Sequence, residues 1–100
     1  MVGKNHPLPN TPQGQELAEL GYNLHMNVRD TLGKPHKFSV SGVNGGHIAY
    51  LDSLDELRLH TLRIRLNRLM ESDIEGEAYD LSAGILTDLI RTQERRVAGI

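Results

Sequence analysis

A chain of 100 residues with 38% hydrophobic and 24% charged residues has apolar material for one modest core, and its net charge of −2 excludes a wholesale nucleic-acid footprint. The absence of Cys excludes a disulfide framework, a thiolate zinc site and a cysteine nucleophile. Three Tyr, one Phe and no Trp argue against a base-stacking surface. No apolar run is long enough to cross a bilayer, and the opening MVGKNHPLPNTP lacks the apolar segment of a signal peptide, so a cytoplasmic protein with no membrane contact is expected.

Residues 1–11 are polar and proline-bearing and read as a flexible tail, with a single domain over 12–100. Thr11 before Pro12 makes an N-cap followed by a first-turn proline, Leu17 and Leu20 share a face, and Gly21 is placed to end the segment, which predicts a short helix over 12–20. From Tyr22 to Arg29 apolar and polar residues alternate over eight positions, the pattern of a half-buried strand. Asp30 to Pro35 has turn chemistry and the alternation resumes from Lys37 to Ser41, so these segments predict a hairpin. A second hairpin turns at Asn44-Gly45-Gly46 and returns from His47 to Leu51. A three-residue loop would pair Val40 with Tyr50 and collect Phe38, Val40, Ile48 and Tyr50 on one face. A two-residue Asn-Gly turn would divide those side chains between faces, and the three-residue loop is therefore favoured.

Ser53 to Met70 is the longest strongly patterned run and organises the rest. Ser53 and Glu56 have capping-box spacing, and neither Gly nor Pro interrupts the run as far as Met70. Leu59, Leu62, Leu66 and Leu69 form one stripe, Leu54, Leu57 and Ile64 a second, and Arg58 and Arg65 lie between them. Two stripes imply two packing partners, at roughly 1.5–3 kcal/mol for each fully buried leucine. Arg65 should be partly buried and in need of an acidic or carbonyl partner. Ser72 and Glu75 repeat the capping-box spacing, so a last helix is predicted from about Asp73 to Val97. Its buried stripe would be Ile74, Ala78, Leu81, Ile85 and Leu89, with a side stripe of Tyr79, Leu86, Ile90 and Val97. Acids begin this helix and Arg91, Arg95 and Arg96 end it, as a helix macrodipole favours. The predicted order is α-β-β-β-α-α: an α+β fold in which a three-stranded antiparallel meander packs against helices, ending in a two-helix hairpin.

Candidate chemistry is sparse. The outward sheet face would carry Asn23, His25, Asn27, Arg29, Lys37, Ser39, Ser41 and His47. There Arg29 and Lys37 would supply charge to a partner, and Asn27 and Ser39 directional hydrogen bonds, although one wet face is also what any antiparallel meander shows. The five histidines show no HExxH spacing and the nearest are eleven residues apart, so no metal site is expected. A calcium loop starting at Asp73 fails, because Ala78 stands where the tight turn needs Gly and Gly84 where a bidentate Glu is required. The arginines of the second helix, Arg58, Arg63, Arg65 and Arg68, point in different directions and suit ion pairing better than phosphate binding. No phosphate loop, dinucleotide fingerprint or nucleophile elbow is present, so neither catalysis nor a bound cofactor is expected. These exclusions leave a small interaction module, with dimerisation through the surplus stripe of the second or third helix as one option.

The Gly-rich hairpin tip Asn44-Gly45-Gly46, the acidic helix start Glu75, Glu77 and Asp80, the small size, and the lack of a cofactor site or targeting signal together resemble the small inhibitors that phages encode, notably anti-CRISPR proteins acting on type I surveillance complexes. The likeness covers the whole chain in size and organisation. Anti-CRISPR proteins share no common motif, so it carries no functional residue onto a numbered position. It implies steric block of target-DNA binding by a CRISPR RNA-guided complex, a protein or ribonucleoprotein partner in place of free nucleic acid. In that case Asn44 and Gly45 at the tip, Glu75, Glu77 and Asp80 in a basic groove, and the strand face around Asn27 and Arg29 would make the contacts. The alternative is a small dimeric nucleic-acid-binding regulator, with Arg29, Lys37 and the helix-two arginines on phosphates.

Overall fold

A computed structural model of the protein describes residues 11–46 and 48–99. The chain forms two compact units, Met1–Leu54 and Asp55–Ile100. In element order it is α1 (Pro12–Glu19), β1 (Tyr22–Arg29), β2 (Pro35–Gly42), β3 (Ile48–Leu51), α2 (Leu54–Met70) and α3 (Gly76–Ala98). The α-β-β-β-α-α order, with three antiparallel strands in an open sheet, makes it an α+β fold. The predicted tail lies almost wholly outside the described residues.

In the first unit the hydroxyl of Thr11 accepts a hydrogen bond from the amide of Gly14 at 3.0 Å, capping α1 as its sequence predicts. Gly21 follows the helix with a φ of +88° and donates to the carbonyl of Ala18, which turns the chain into β1. α1 packs on β1, and Leu17, Leu24 and Val40 are almost fully buried. β1 and β2 pair with Leu24 opposite Val40 and Met26 opposite Phe38.

The β2–β3 register differs from that of the expected three-residue loop. Val40 pairs with Ala49 and Ser39 with Tyr50, a slip of one residue. Turn bonds set it. The amide of Val43 donates to Gly21 at 3.1 Å, which prolongs the β1–β2 pairing past Gly42. Gly45 then donates back to Gly42 at 2.8 Å, and the Asn44 side chain accepts from the Gly46 amide at 3.0 Å. Gly45 has a φ of +78°, a conformation that a side chain would strain. These local bonds outweigh the sorting of apolar residues. Phe38, Val40, Ala49 and Leu51 share one face, and Ile48 and Tyr50 go to the other, beside Ser39, Ser41 and His25.

In the second unit α2 starts directly after Ser53, and both of its stripes contribute buried residues: Leu59 and Leu69 from one, Leu57 and Ile64 from the other. Arg65 is half-buried between them, as expected. α3 starts later than predicted because Ser72 serves the preceding helix. Its hydroxyl donates to the carbonyl of Leu69 at 2.6 Å, leaving Glu75 as an N-cap whose side chain makes no capping bond. The side-chain amide of Gln93 donates to the backbone carbonyl of Asp55 at 3.0 Å and to its carboxylate at 3.1 Å, while Arg63 pairs with Glu94 at 2.8 Å. Asp55 and Arg63 are about 12 Å apart along α2, yet their partners are sequence neighbours, so the late part of α3 crosses α2 at this point.

The stripe predicted to be buried on α3 is not. Leu81 and Ile85 are each 62% exposed and Leu89 48%, and the packing falls to the side stripe, where Ile90 is buried and Tyr79 and Leu86 are half-buried, though its last member, Val97, is exposed. The pattern of a helix reports that it has an apolar face but not which of two adjacent faces meets its neighbour.

Candidate functional site

The first unit concentrates polar chemistry at the end of the sheet where β1 turns into β2. Asp30 builds the turn. One oxygen of its carboxylate accepts from the amides of Leu32 and Lys34, each at 2.9 Å, and its carbonyl accepts from Gly33 at 2.9 Å. Arg29 reaches over the same turn and donates to the Gly33 carbonyl at 2.7 Å. The second carboxylate oxygen of Asp30 lies 2.9 Å from Nε2 of His36, whose Nδ1 is 3.0 Å from the carboxylate of Asp52, just beyond β3. The His36 ring also stacks on Tyr50 with centroids 5.0 Å apart.

Each ring nitrogen of His36 faces a carboxylate, so both bonds form together only when both nitrogens carry protons. The hydrogen bond to Asp30 raises the His36 pKa above its ordinary 6.5, with Asp52 adding to the effect and partial burial opposing it. The same bond, helped by the Lys34 amide, lowers the Asp30 carboxyl below its ordinary 3.8. The His36 side chain is 10% exposed and that of Asp52 54%, so Asp30 is the more sheltered partner. With both nitrogens engaged, the ring offers no free base. It ties the β1–β2 turn to the end of β3.

Two adjoining clefts open here, of about 400 and 660 Å³. Asn27, Val28 and Arg29 line both. Pro35, His36, Lys37 and Asp52 complete the smaller one, and His25, Ser39, Ser41, Ile48 and Tyr50 the larger. Asn27 is the hinge between them and has a φ of +55°, the left-handed region that Asn tolerates better than most residues. The ladder pairs Met26 with Phe38 and resumes at Val28 with His36 on either side of it. Beyond this point strict alternation fails. His36 should by parity lie with Phe38, yet it stacks on Tyr50 of the other face.

Of the residues singled out from sequence, Asn27, Arg29, Lys37 and Ser39 come together at these clefts, but Ser39 is only 7% exposed and sits at the floor. Asn44 and Gly45 are exposed in the β2–β3 turn, at the opposite end of the sheet. Glu75, Glu77 and Asp80 belong to the second unit. At about 100° per residue, Glu77 and Asp80 share a side of α3 while Glu75 lies well round from them, so the three do not form one row. His47 of the expected outward face lies outside the described residues. Sequence reasoning missed Asp30, His36 and Asp52 because their convergence depends on strand pairing. Ile48 and Tyr50 would have followed from the alternative turn register.

Among the described residues no three His, Asp or Glu side chains are disposed to hold a metal ion, and no helix is long and apolar enough to cross a membrane. No protein-family model matches the chain, and neither a curated protein nor a solved structure shows significant similarity to it.

Proposed function

We propose that the protein is a non-enzymatic binding module whose contact surface is the cleft-bearing face of the sheet. The observation that carries this reading is the one-residue register slip. It places Ile48, 56% exposed, and Tyr50 on that face along the edge strand β3, with Ser39 and Ser41 beside them on β2 and His25, Asn27 and Arg29 beyond on β1. Apolar and aromatic side chains beside polar groups are what protein interfaces combine, with tyrosine a frequent anchor. The left-handed Asn27 at the junction of both clefts is a further pointer, since such conformations gather at sites of function. Phosphate binding fits less well: the Arg29 guanidinium is engaged by the Gly33 carbonyl, and Lys37 shares its cleft with the Asp52 carboxylate.

The particular module we propose is a steric inhibitor of a larger ribonucleoprotein, of the anti-CRISPR kind, which keeps a type I RNA-guided complex from its target DNA. The test is a gel-shift titration of such a complex and its target with the purified chain. Stoichiometric loss of DNA binding is expected, and Ile48→Lys should weaken it at least about tenfold, the loss typical of an anchor residue, with unchanged circular dichroism. Intact DNA binding at large excess of the chain would remove the inhibitor reading. Binding of the chain itself to free DNA or RNA, falling steeply with salt, would put a nucleic-acid regulator in its place.

A further inference from the structure

The exposed stripe of α3 does not enter the sheet-face reading, and it carries its own charge pattern. Leu81, Ile85 and Leu89 repeat every four residues along one side of the helix, about 100° or more from the buried Ile90, and the same spacing runs on into the buried Gln93. A continuous apolar stripe of this kind marks a contact surface. The charges beside it are arranged about its middle. Glu77 and Arg95 are separated by five helical turns and so lie on the same flank of the stripe. Both are exposed, whereas Asp80 and Arg91 lie about 120–140° round the helix from Ile85, on the side away from the stripe. The midpoint of Glu77 and Arg95 is residue 86 and that of Leu81 and Leu89 is Ile85, so charge and apolar patterns share one centre to within about a residue, or 1.5 Å. Within one chain Glu77 and Arg95 are about 27 Å apart along the helix and cannot pair. Glu94, which would oppose Glu77, is on the far side of α3 and is bonded to Arg63.

We infer that this stripe is covered by α3 of a second copy of the chain, packed antiparallel about a two-fold axis near Ile85. A two-fold of that kind keeps each flank facing the same flank of its mate. Leu81 meets Leu89 and Glu77 meets Arg95, each contact occurring twice, and Ile85 meets itself on the axis. A parallel two-fold would turn this flank toward the other one, where Tyr79, Ser82, Leu86 and Gln93 carry no charge, so only the antiparallel arrangement pairs Glu77 with Arg95. A helix dipole explains why acids come first and bases last. It does not explain why Glu77 and Arg95 share a flank and a centre with an exposed apolar stripe.

Sedimentation of the full chain should show a reversible monomer–dimer equilibrium. Ile85→Lys should weaken association at least about tenfold, as for a central contact, with helicity unchanged. Glu77→Arg and Arg95→Glu should each self-associate less than the parent, whereas a mixture of the two should associate again, because each then offers the charges the other lacks. Since the chain has no Cys, Leu81→Cys and Leu89→Cys provide the geometry. Mixed together they should form a disulfide-linked dimer faster than either does alone. A folded chain that stays monomeric at all concentrations, whether or not it binds another protein, overturns the inference. So does a dimer indifferent to Ile85→Lys, or equally fast cross-linking of Leu81→Cys with itself. None of these results bears on the sheet face, which the DNA-binding titration tests separately.

Discussion

The two units handle their apolar side chains differently. In the sheet unit the large exposed ones, Met26, Leu32, Val43, Ile48 and Leu54, are scattered over strands, turns and the first residue of α2, whereas in the helical unit Leu81, Ile85 and Leu89 stand in line on one helix. Single exposed apolar residues are ordinary on protein surfaces, and aligned ones are not. The sheet unit therefore offers a small mixed surface shaped by turns, and the helical unit a long uniform one shaped by helical periodicity. Hydrogen bonding follows the same division. The Asp30–His36–Asp52 cluster holds three parts of the sheet unit together, while in the helical unit Gln93 bonds Asp55 and Arg63 pairs with Glu94.

The largest effects should come from the residues each unit buries. Leu17→Ala and Leu57→Ala should each lower stability by about 2–5 kcal/mol, read from urea melts, whereas Leu81→Ala at a concentration where the chain is monomeric should cost no more than about 0.5 kcal/mol. A large loss from Leu81→Ala would break the distinction between packed and exposed stripes. Gly45→Ala, which forces a side chain into the left-handed turn position, should cost about 1–2 kcal/mol, and loss of that size would sharpen the claim that turn bonds set the β2–β3 register.

The His36 cluster gives the sheet unit a pH dependence. Folding raises the His36 pKa, so its contribution is complete below 6.5 and fades as pH climbs through the raised value. Folding lowers the Asp30 pKa, so its contribution is complete above 3.8 and fades as pH falls through the lowered value. The urea midpoint should thus contain a plateau component between those limits, and His36→Gln should flatten the decline on its alkaline side. An identical profile in that variant would show that the cluster adds nothing. The smallest change should be Arg63→Ala: its pair with Glu94 is about half exposed on both sides, which makes it worth about 0.2–1 kcal/mol at most, and less in high salt.

Local signals carried most of the fold. Thr11 and Pro12 mark the start of α1, the eight alternating residues from Tyr22 mark β1 at its observed bounds, and the uninterrupted run after Ser53 is α2. Each depends on neighbours within a turn or two along the chain. The errors all concern choices between nearly equal local options. Ser72 had either to cap α3 or to close α2. The Asn44-Gly45-Gly46 tip was compatible with two registers, and α3 had two adjacent apolar faces.

Of the candidate site, Asn27, Arg29 and Lys37 were legible because alternation assigns them to one face. Asp30, His36, Asp52 and Tyr50 were not, since nothing in their spacing shows that a turn, two strands and the end of a third will meet. The amino-acid sequence by itself determined the elements and their order, through capping, periodicity and turn chemistry acting over a few residues. Only the tertiary structure decided the strand register, the face of α3 left open and the company of His36, because these depend on hydrogen bonds and contacts between segments distant along the chain.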